Sequence, residues 1–289
     1  MSDKPKKVTT RALVKMKREK EPIAMITAYD YPSAKLAEQA GADVILVGDS
    51  LGMVVLGYDS TIPVTLADML HHTKAVTRAT KRTMVIADLP FALAHLSKDE
   101  VIKAAAKLMQ EGGAYGVKME GGSEILVNVR ALTAAGIPVM GHLGLTPQTV
   151  NQLGGYVIQG KTLQAAGQLV EEAKRLEEAG AFALVLECVP EELGQCITEQ
   201  LSIPTIGIGA GRYCDGQVLV WHDVLAMSGD WHPSFVKVYQ QTGQLMLKGV
   251  SDYVHEVKTR RFPEEKHATH LGAELAGQLY GNQKGVYGK

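Results

Sequence analysis

The sequence predicts an α/β protein folded as a single (β/α)8 barrel, and three observations lead there. One cadence repeats along the chain: a helical stretch ends in Gly, a short β-prone apolar run follows, and that run closes on a polar residue. The apolar runs are continuous rather than alternating, as parallel strands covered on both faces require. Eight such units over about 200 residues fit one closed barrel, with a doubly wound open sheet as the alternative. Length alone leaves the matter open, because 289 residues would also make two ordinary domains.

Taken in order, the first element is a helix over 10–20, rich in Arg11, Lys15, Lys17, Arg18 and Lys20 and expected to dock through Leu13, Val14 and Met16. With Lys4, Lys6 and Lys7 before it, the segment is basic but lacks the apolar stretch of a secretory signal, and it reads as a surface helix rather than a transit peptide. The cadence is clearest in EQAGADVILVGD (38–49), EGGAYGVKME (111–120), TAAGIPVMGH (133–142) and EEAGAFALVLE (177–187), and varies in KRTMVIAD (81–88) and LSIPTIGIG (201–209). Strands are expected near 24–27, 44–47, 84–87, 116–119, 138–140, 183–186, 205–208 and 218–221. Helices are expected over 65–80, 98–111, 123–135, 161–179 and 190–200, with Gly41, Gly112, Gly136 and Gly180 supplying left-handed C-caps. Residues 1–22 then form an N-terminal helix and extension, 23–262 the barrel, and 263–289 a polar helical tail after Trp231, all within one domain.

Composition narrows the function. At 46% hydrophobic and 21% charged the chain can bury a large core, which excludes a disordered or collagen-like protein. Thirty Lys and Arg against 31 Asp and Glu leave a formal charge of −1, so no global field recruits nucleic acid or a membrane surface, and small-molecule partners are expected. Cys188, Cys196 and Cys214 are odd in number and form no C-x-x-C pair, which points to a reducing, cytoplasmic setting without a disulfide framework or structural zinc. No apolar run approaches the length of a membrane span.

In a barrel of this kind the C-terminal strand ends form the active-site face, so the closing residue of each run is informative. Those residues are Asp49 and Ser50, Asp88, Lys118 and Glu120, His142, and Glu187. A single polar residue there often caps the next helix. Capping does not call for acids, a lysine and a histidine together at one mouth. Asp49, Asp88 and Glu120 offer only oxygen ligands from three neighbouring strands, which favours a hard divalent cation such as magnesium over zinc; direct neutralisation by Lys118 is the simpler alternative. Glu187 closes the run 183–186 and should enter a partly desolvated pocket, which makes a carboxylate a better base.

Other features carry less. GIGAG (207–211) is no dinucleotide fingerprint, because Arg212 stands where the third glycine belongs; its glycines would let a bulky ligand lie against the backbone, with a phosphate cup after strand seven as the alternative. His71 and His72 read as solvated or packed, His222 lies near the least certain strand, and Cys188 is a weak nucleophile candidate.

Eight blocks are more specific: ITAYDYPSAKLAEQAG (26–41), LVGDSLGM (46–53), DSTIPVTLADM (59–69), ADLPF (87–91), VKMEGG (117–122), GHLGLTPQ (141–148), VLECVP (185–190) and IGIGAG (206–211). In order and content they closely resemble the ketopantoate hydroxymethyltransferase family over about residues 10–265. The resemblance implies a barrel of the phosphoenolpyruvate/pyruvate type assembled as a homodecamer, a pentamer of dimers. It implies transfer of a hydroxymethyl group from 5,10-methylenetetrahydrofolate to 3-methyl-2-oxobutanoate, giving 2-dehydropantoate and tetrahydrofolate at the start of pantothenate biosynthesis. It also implies magnesium on Asp49, Asp88 and Glu120, keto acid on Asp49, Ser50, Asp88 and Lys118, and Glu187 as proton acceptor. His142 is expected to touch substrate, and with the 207–211 loop to wall the folate. The longer basic N-terminus, the tail past His267 and Met119 depart from the family pattern. Two other functions compete: a magnesium-dependent carbon–carbon lyase of the isocitrate lyase type, and a catalytically silent binding barrel.

Overall fold

Eight parallel strands close into a barrel in chain order: β1 (Ile23–Thr27), β2 (Val44–Val47), β3 (Met84–Asp88), β4 (Gly116–Glu120), β5 (Val139–Gly144), β6 (Ala183–Glu187), β7 (Thr205–Ile208) and β8 (Gly216–Leu219). The structure is a computed structural model and describes residues 6–227, 229 and 232–281, so Lys4, Trp231 and the last eight residues of the tail lie outside the described residues. The sequence and the structure agree on the barrel and differ by more than one residue at two strands. β5 runs on to Gly144 because His142 pairs with Glu120 on one side and Val185 on the other, so a polar residue read as the strand's end lies inside it. β8 starts at Gly216, paired with Ile23 and Ile206, and stops at Leu219. Trp221 instead opens a short helix, its N–H donating to Thr27 Oγ1.

Period-two alternation divides the apolar residues between two layers. Ile23, Met25, Val44, Leu46, Met84, Ile86, Met140, Val185, Ile206 and Val218 fill the barrel interior. Ile45, Val47, Val85, Ala87, Val117, Met119, Val139, Leu184 and Leu186 belong to the outer core with helical residues such as Met69, Val101, Leu108, Leu176 and Ile197. The N-terminal helix Thr10–Glu19 adds Leu13 and Met16 to the interior layer. Leu13 is fully buried, worth on the order of 1.5–3 kcal/mol in transfer from water. Val14, expected to dock with them, is 39% exposed, since one residue along a helix turns a side chain about 100° away. Lys17 anchors the same helix, its Nζ donating to Asp215 Oδ2 and to the Thr198 carbonyl, both at 2.8 Å.

The helices begin where capping residues put them. Thr65 with Asp68, and Ser97 with Glu100, form capping boxes before Leu66–Ala79 and Lys98–Gln110. The segment expected as one helix over 123–135 is a 3-10 turn, Ser123–Ile125, followed by the helix Leu126–Ala134. After Lys98–Gln110 the left-handed residue is Gly113 rather than Gly112, the helical turn persisting one residue longer than its composition suggests.

All of this belongs to a unit spanning 1–240; a second unit, 241–289, holds the helices Thr242–Lys258 and Ala273–Tyr280 with the 3-10 turn Glu265–His267 between them. Among the described residues, no helix is long and apolar enough to cross a membrane.

Candidate active site

The alternation that fills the barrel with apolar side chains also builds its polar rim. Two residues beyond Ile86 on the same face comes Asp88; beyond Gly116 come Lys118 and Glu120; beyond Met140, His142; beyond Val185, Glu187. Parallel register then sets Asp88 beside Lys118 and Glu120 beside His142. Asp49 follows β2, and its backbone N–H donates to Asp88 Oδ2 at 3.1 Å. Asp49, Asp88, Lys118, Glu120 and His142 are all buried, at 4% exposure or less.

Lys118 is the hub. Its Nζ lies 3.0 Å from Asp88 Oδ1, 3.4 Å from Glu120 Oε1 and 3.0 Å from His142 Nδ1. Burial opposes its charge, but Asp88 and Glu120 outweigh that and hold it protonated. Glu120 is held down to about 2, Lys118 overcoming its burial with help from the Gln148 backbone N–H. Asp49 sits well above the ordinary carboxylate range because burial and the charges of Asp88 and Glu120 disfavour ionisation, and Asp88 is raised by burial and Glu120 against the pull of Lys118.

His142 Nε2 lies 3.3 Å from Glu187 Oε2, which ties the base candidate to the cluster. Burial and Lys118 oppose a charge on this ring, while Glu120 and Glu187 favour one and take it up to about 9. The geometry argues otherwise: Lys118 at 3.0 Å needs Nδ1 unprotonated, since an imidazolium would set two donors against each other. We therefore assign a neutral ring with its hydrogen on Nε2, facing Glu187.

Glu187 itself is half-buried and held by its backbone. Its carbonyl accepts from Leu145 N–H at 2.8 Å, and Cys188 N–H donates to Ile208 O at 2.9 Å. Cys188 has φ +48, a left-handed conformation that costs a non-glycine residue free energy and tends to mark functional sites. Its thiol is pushed up to about 12 by burial and by Glu187, so it is no nucleophile at neutral pH.

The remaining expected residues fall as follows. Ser50 Oγ hydrogen-bonds the hydroxyl of the buried Tyr29 at 2.9 Å, and the His222 ring lies 5.6 Å from that of Tyr29. His72 Nδ1 contacts the Tyr29 carbonyl at 2.6 Å, so it packs rather than ligates. The 207–211 loop is not an open wall: a side chain at Gly209 would strike Phe235, and one at Gly211 would strike Glu191. Those glycines admit the protein's own side chains, and His142, the other expected wall, is buried. An aromatic surface lies elsewhere. Tyr156 is half-exposed, its hydroxyl 3.6 Å from Met53 Sδ, and its hydroxyl is raised by partial burial and by the charges of Glu187, Asp49 and Glu120.

Two residues of the site escape a reading of strand ends. Tyr29 lies after β1, and Gln148 in the 3-10 turn Pro147–Thr149 after β5. Gln148 Nε2 donates to Asp49 Oδ2 at 2.8 Å and to Leu89 O at 2.9 Å, and its backbone N–H donates to Glu120 Oε2 at 3.1 Å. The block GHLGLTPQ contains it, but nothing in its spacing signals that reach.

Among the described residues, no group of three or more His, Cys, Asp and Glu forms a ready metal cage. Magnesium does not need one: it binds through one or two carboxylates and keeps positions for water or substrate. Asp88 Oδ1 is buried with no properly directed hydrogen bond, despite Lys118 at 3.0 Å. Four carboxylates also face one ammonium and one neutral imidazole. An oxygen-only donor pair, Asp49 and Asp88, with an unsatisfied oxygen and excess negative charge, fits a hard divalent cation.

Comparison with known proteins identifies the family. The family described as Ketopantoate hydroxymethyltransferase matches residues 7–265. A Bacillus cereus protein named 3-methyl-2-oxobutanoate hydroxymethyltransferase is 56% identical over 276 residues, covering 96% of this chain and 99% of that protein. A Bacillus thuringiensis protein of the same name is 55% identical over the same shares. Among solved structures, phosphonopyruvate hydrolase in complex with oxalate and Mg++ aligns with a TM-score of 0.59 at 14% identity, covering 94% of each chain. A 2,3-dimethylmalate lyase of the PEP mutase/isocitrate lyase superfamily aligns with a TM-score of 0.55 at 14% identity, covering 96% of each chain. These two likenesses concern the fold.

Proposed function

The chain belongs to the ketopantoate hydroxymethyltransferase family, and from that premise we propose how its barrel rim carries the reaction. The enzyme transfers a hydroxymethyl group from 5,10-methylenetetrahydrofolate to 3-methyl-2-oxobutanoate, giving 2-dehydropantoate and tetrahydrofolate in pantothenate biosynthesis. The observation that carries the residue-level reading is one connected polar cluster, Asp49, Asp88, Lys118, Glu120, His142 and Glu187, on top of an otherwise apolar barrel interior.

Lys118 and the Ser50 hydroxyl bind the substrate carboxylate, with Tyr29 fixing the direction of Ser50. Asp49 and Asp88, with Glu120 as the third acid, would hold magnesium. When bound, that ion supplies positive charge to the oxygens of the keto acid and so acidifies the carbon beside its ketone. Glu187 accepts the proton from that branched carbon, and Nε2–H of His142 faces the carboxylate that receives it. The carbanion so formed adds to the methylene carbon as its bond to N10 breaks, and water then displaces N5, leaving its hydroxyl on the transferred carbon and a proton on the departing tetrahydrofolate. Burial of Lys118 and the acids keeps water from competing for these contacts. The Tyr156 ring, beside Met53, is the surface against which we place the flat pterin.

The near-neutral charge supports small-molecule substrates over nucleic acid or membrane. We further propose a cytoplasmic enzyme acting as one domain within a homodecamer, a pentamer of dimers, for which a sedimentation mass of ten chains is the measure. The function is tested by incubating keto acid, methylenetetrahydrofolate and Mg2+ with the protein and weighing the product: 2-dehydropantoate is expected, and cleavage of dicarboxylic acids instead would favour a lyase. In the same assay Tyr156→Ala should raise the KM for methylenetetrahydrofolate by about tenfold, the loss of roughly 1.4 kcal/mol of stacking, and leave that for keto acid unchanged. Equal shifts in both constants would remove Tyr156 from the folate site.

A further inference from the structure

We infer that Gln148 is a positioning residue for the acid cluster: from the loop after β5 it clamps both Asp49 and Glu120 and determines which oxygen of Asp49 is left for a ligand. The inference deepens the cation reading above and rests on it.

Gln148 is 5% exposed, so its amide must find partners inside the protein. Both partners of its Nε2, Asp49 Oδ2 and Leu89 O, are acceptors, which fixes the amide's orientation and uses both of its hydrogens. Its backbone N–H, at the start of a 3-10 turn and without a partner in the turn itself, goes to Glu120 Oε2. One residue from the loop after β5 therefore reaches acids following β2 and ending β4.

The loop that delivers it is itself pinned. Gly144 has φ +94, and a side chain there would meet the Glu187 carbonyl oxygen at 2.2 Å, so loop and base-bearing strand end are in backbone contact. Leu145 N–H closes that contact with a hydrogen bond to the same oxygen.

The consequence lies in which oxygens remain. Gln148 takes Asp49 Oδ2, and the Asp49 N–H takes Asp88 Oδ2. Asp49 thus keeps Oδ1 clear of these ties, while Asp88 Oδ1 faces Lys118 Nζ at 3.0 Å. A neutral donor orients a carboxylate without cancelling its charge, whereas Lys or Arg in the same place would compete with a cation for Asp49. Removing hydrogen bonds that orient metal ligands typically costs 10–100-fold in metal affinity or activity.

The test uses Mn2+ as the probe, titrated by electron paramagnetic resonance into wild type and Gln148→Leu, together with the rate at which each exchanges deuterium into 3-methyl-2-oxobutanoate without folate. Gln148→Leu keeps the backbone bond to Glu120 and should weaken Mn2+ binding and slow exchange by about 10–100-fold each, with the KM for methylenetetrahydrofolate unchanged. Gln148→Met, unbranched and of similar length, should give the same losses and serves if the leucine variant does not fold. A folded variant with both Mn2+ affinity and exchange within about twofold of wild type would overturn the assignment, because 10-fold is the least the loss of such a bond should cost. If wild type itself binds no Mn2+, the cation reading fails; the exchange comparison then decides the positioning role alone, a 10-fold deficit supporting it and an unchanged rate rejecting it.

Discussion

Glu187→Gln is expected to abolish folate-independent deuterium exchange at the branched carbon of 3-methyl-2-oxobutanoate, with a loss on the order of 10²–10⁴-fold, the usual contribution of a positioned general base. Gln has the same shape and can keep the 3.3 Å contact with His142 Nε2, which is not a directed hydrogen bond, so the cluster should stay in place. Keto acid binding, assigned to Lys118 and Ser50, should survive, and calorimetric titration checks it. The position of Glu187 is set by backbone rather than side-chain contacts, through the left-handed Cys188 and the bond from Leu145 N–H, so the substitution leaves its support intact. Exchange falling less than tenfold, with binding unchanged, would show that another group takes the proton.

The second large effect is on stability. Lys118→Met replaces a buried ammonium 3.0 Å from Asp88 and 3.4 Å from Glu120 with an apolar side chain of similar reach. Breaking a buried ion pair by removing one partner typically costs about 3–5 kcal/mol, because the charges left behind are uncompensated. The pH dependence gives the cause away. Glu120 is held down to about 2, below its ordinary value of 4.5, so its paired form contributes stability above about 4.5 that is lost as pH falls toward 2. That contribution depends on Lys118 and disappears with it. The deficit of the variant in urea denaturation should therefore be greatest near neutral pH and shrink below about pH 4, where the acids protonate. A deficit that does not change with pH would point to lost packing rather than lost charge.

How much of this was legible in the sequence follows from the geometry of strands. Strand-end positions are readable because alternation is fixed: once Met84 and Ile86 face inward, so must Asp88, and the same rule carries Lys118, Glu120, His142 and Glu187 to the rim. Residues whose place depends on a loop's path are not readable that way. Gln148 bonds a residue 99 positions away, and Tyr29 supports Ser50 from the turn after β1. The glycines at 209 and 211 were legible as points of close approach, but not the identity of what approaches, which is Phe235 and Glu191. Val14 shows the smallest version of the problem: beside Leu13 in sequence, it faces solvent because a helix turns about 100° per residue.

At the centre stands one arrangement, acids on adjoining strand ends whose charge is balanced by a divalent cation so that Glu187 can take a proton from the keto acid. It is probed by deuterium exchange into 3-methyl-2-oxobutanoate by the wild-type enzyme after exhaustive chelation, then after adding back Mg2+, without folate. Exchange should disappear with the metal and return with it. Full exchange in the chelated enzyme would contradict the arrangement.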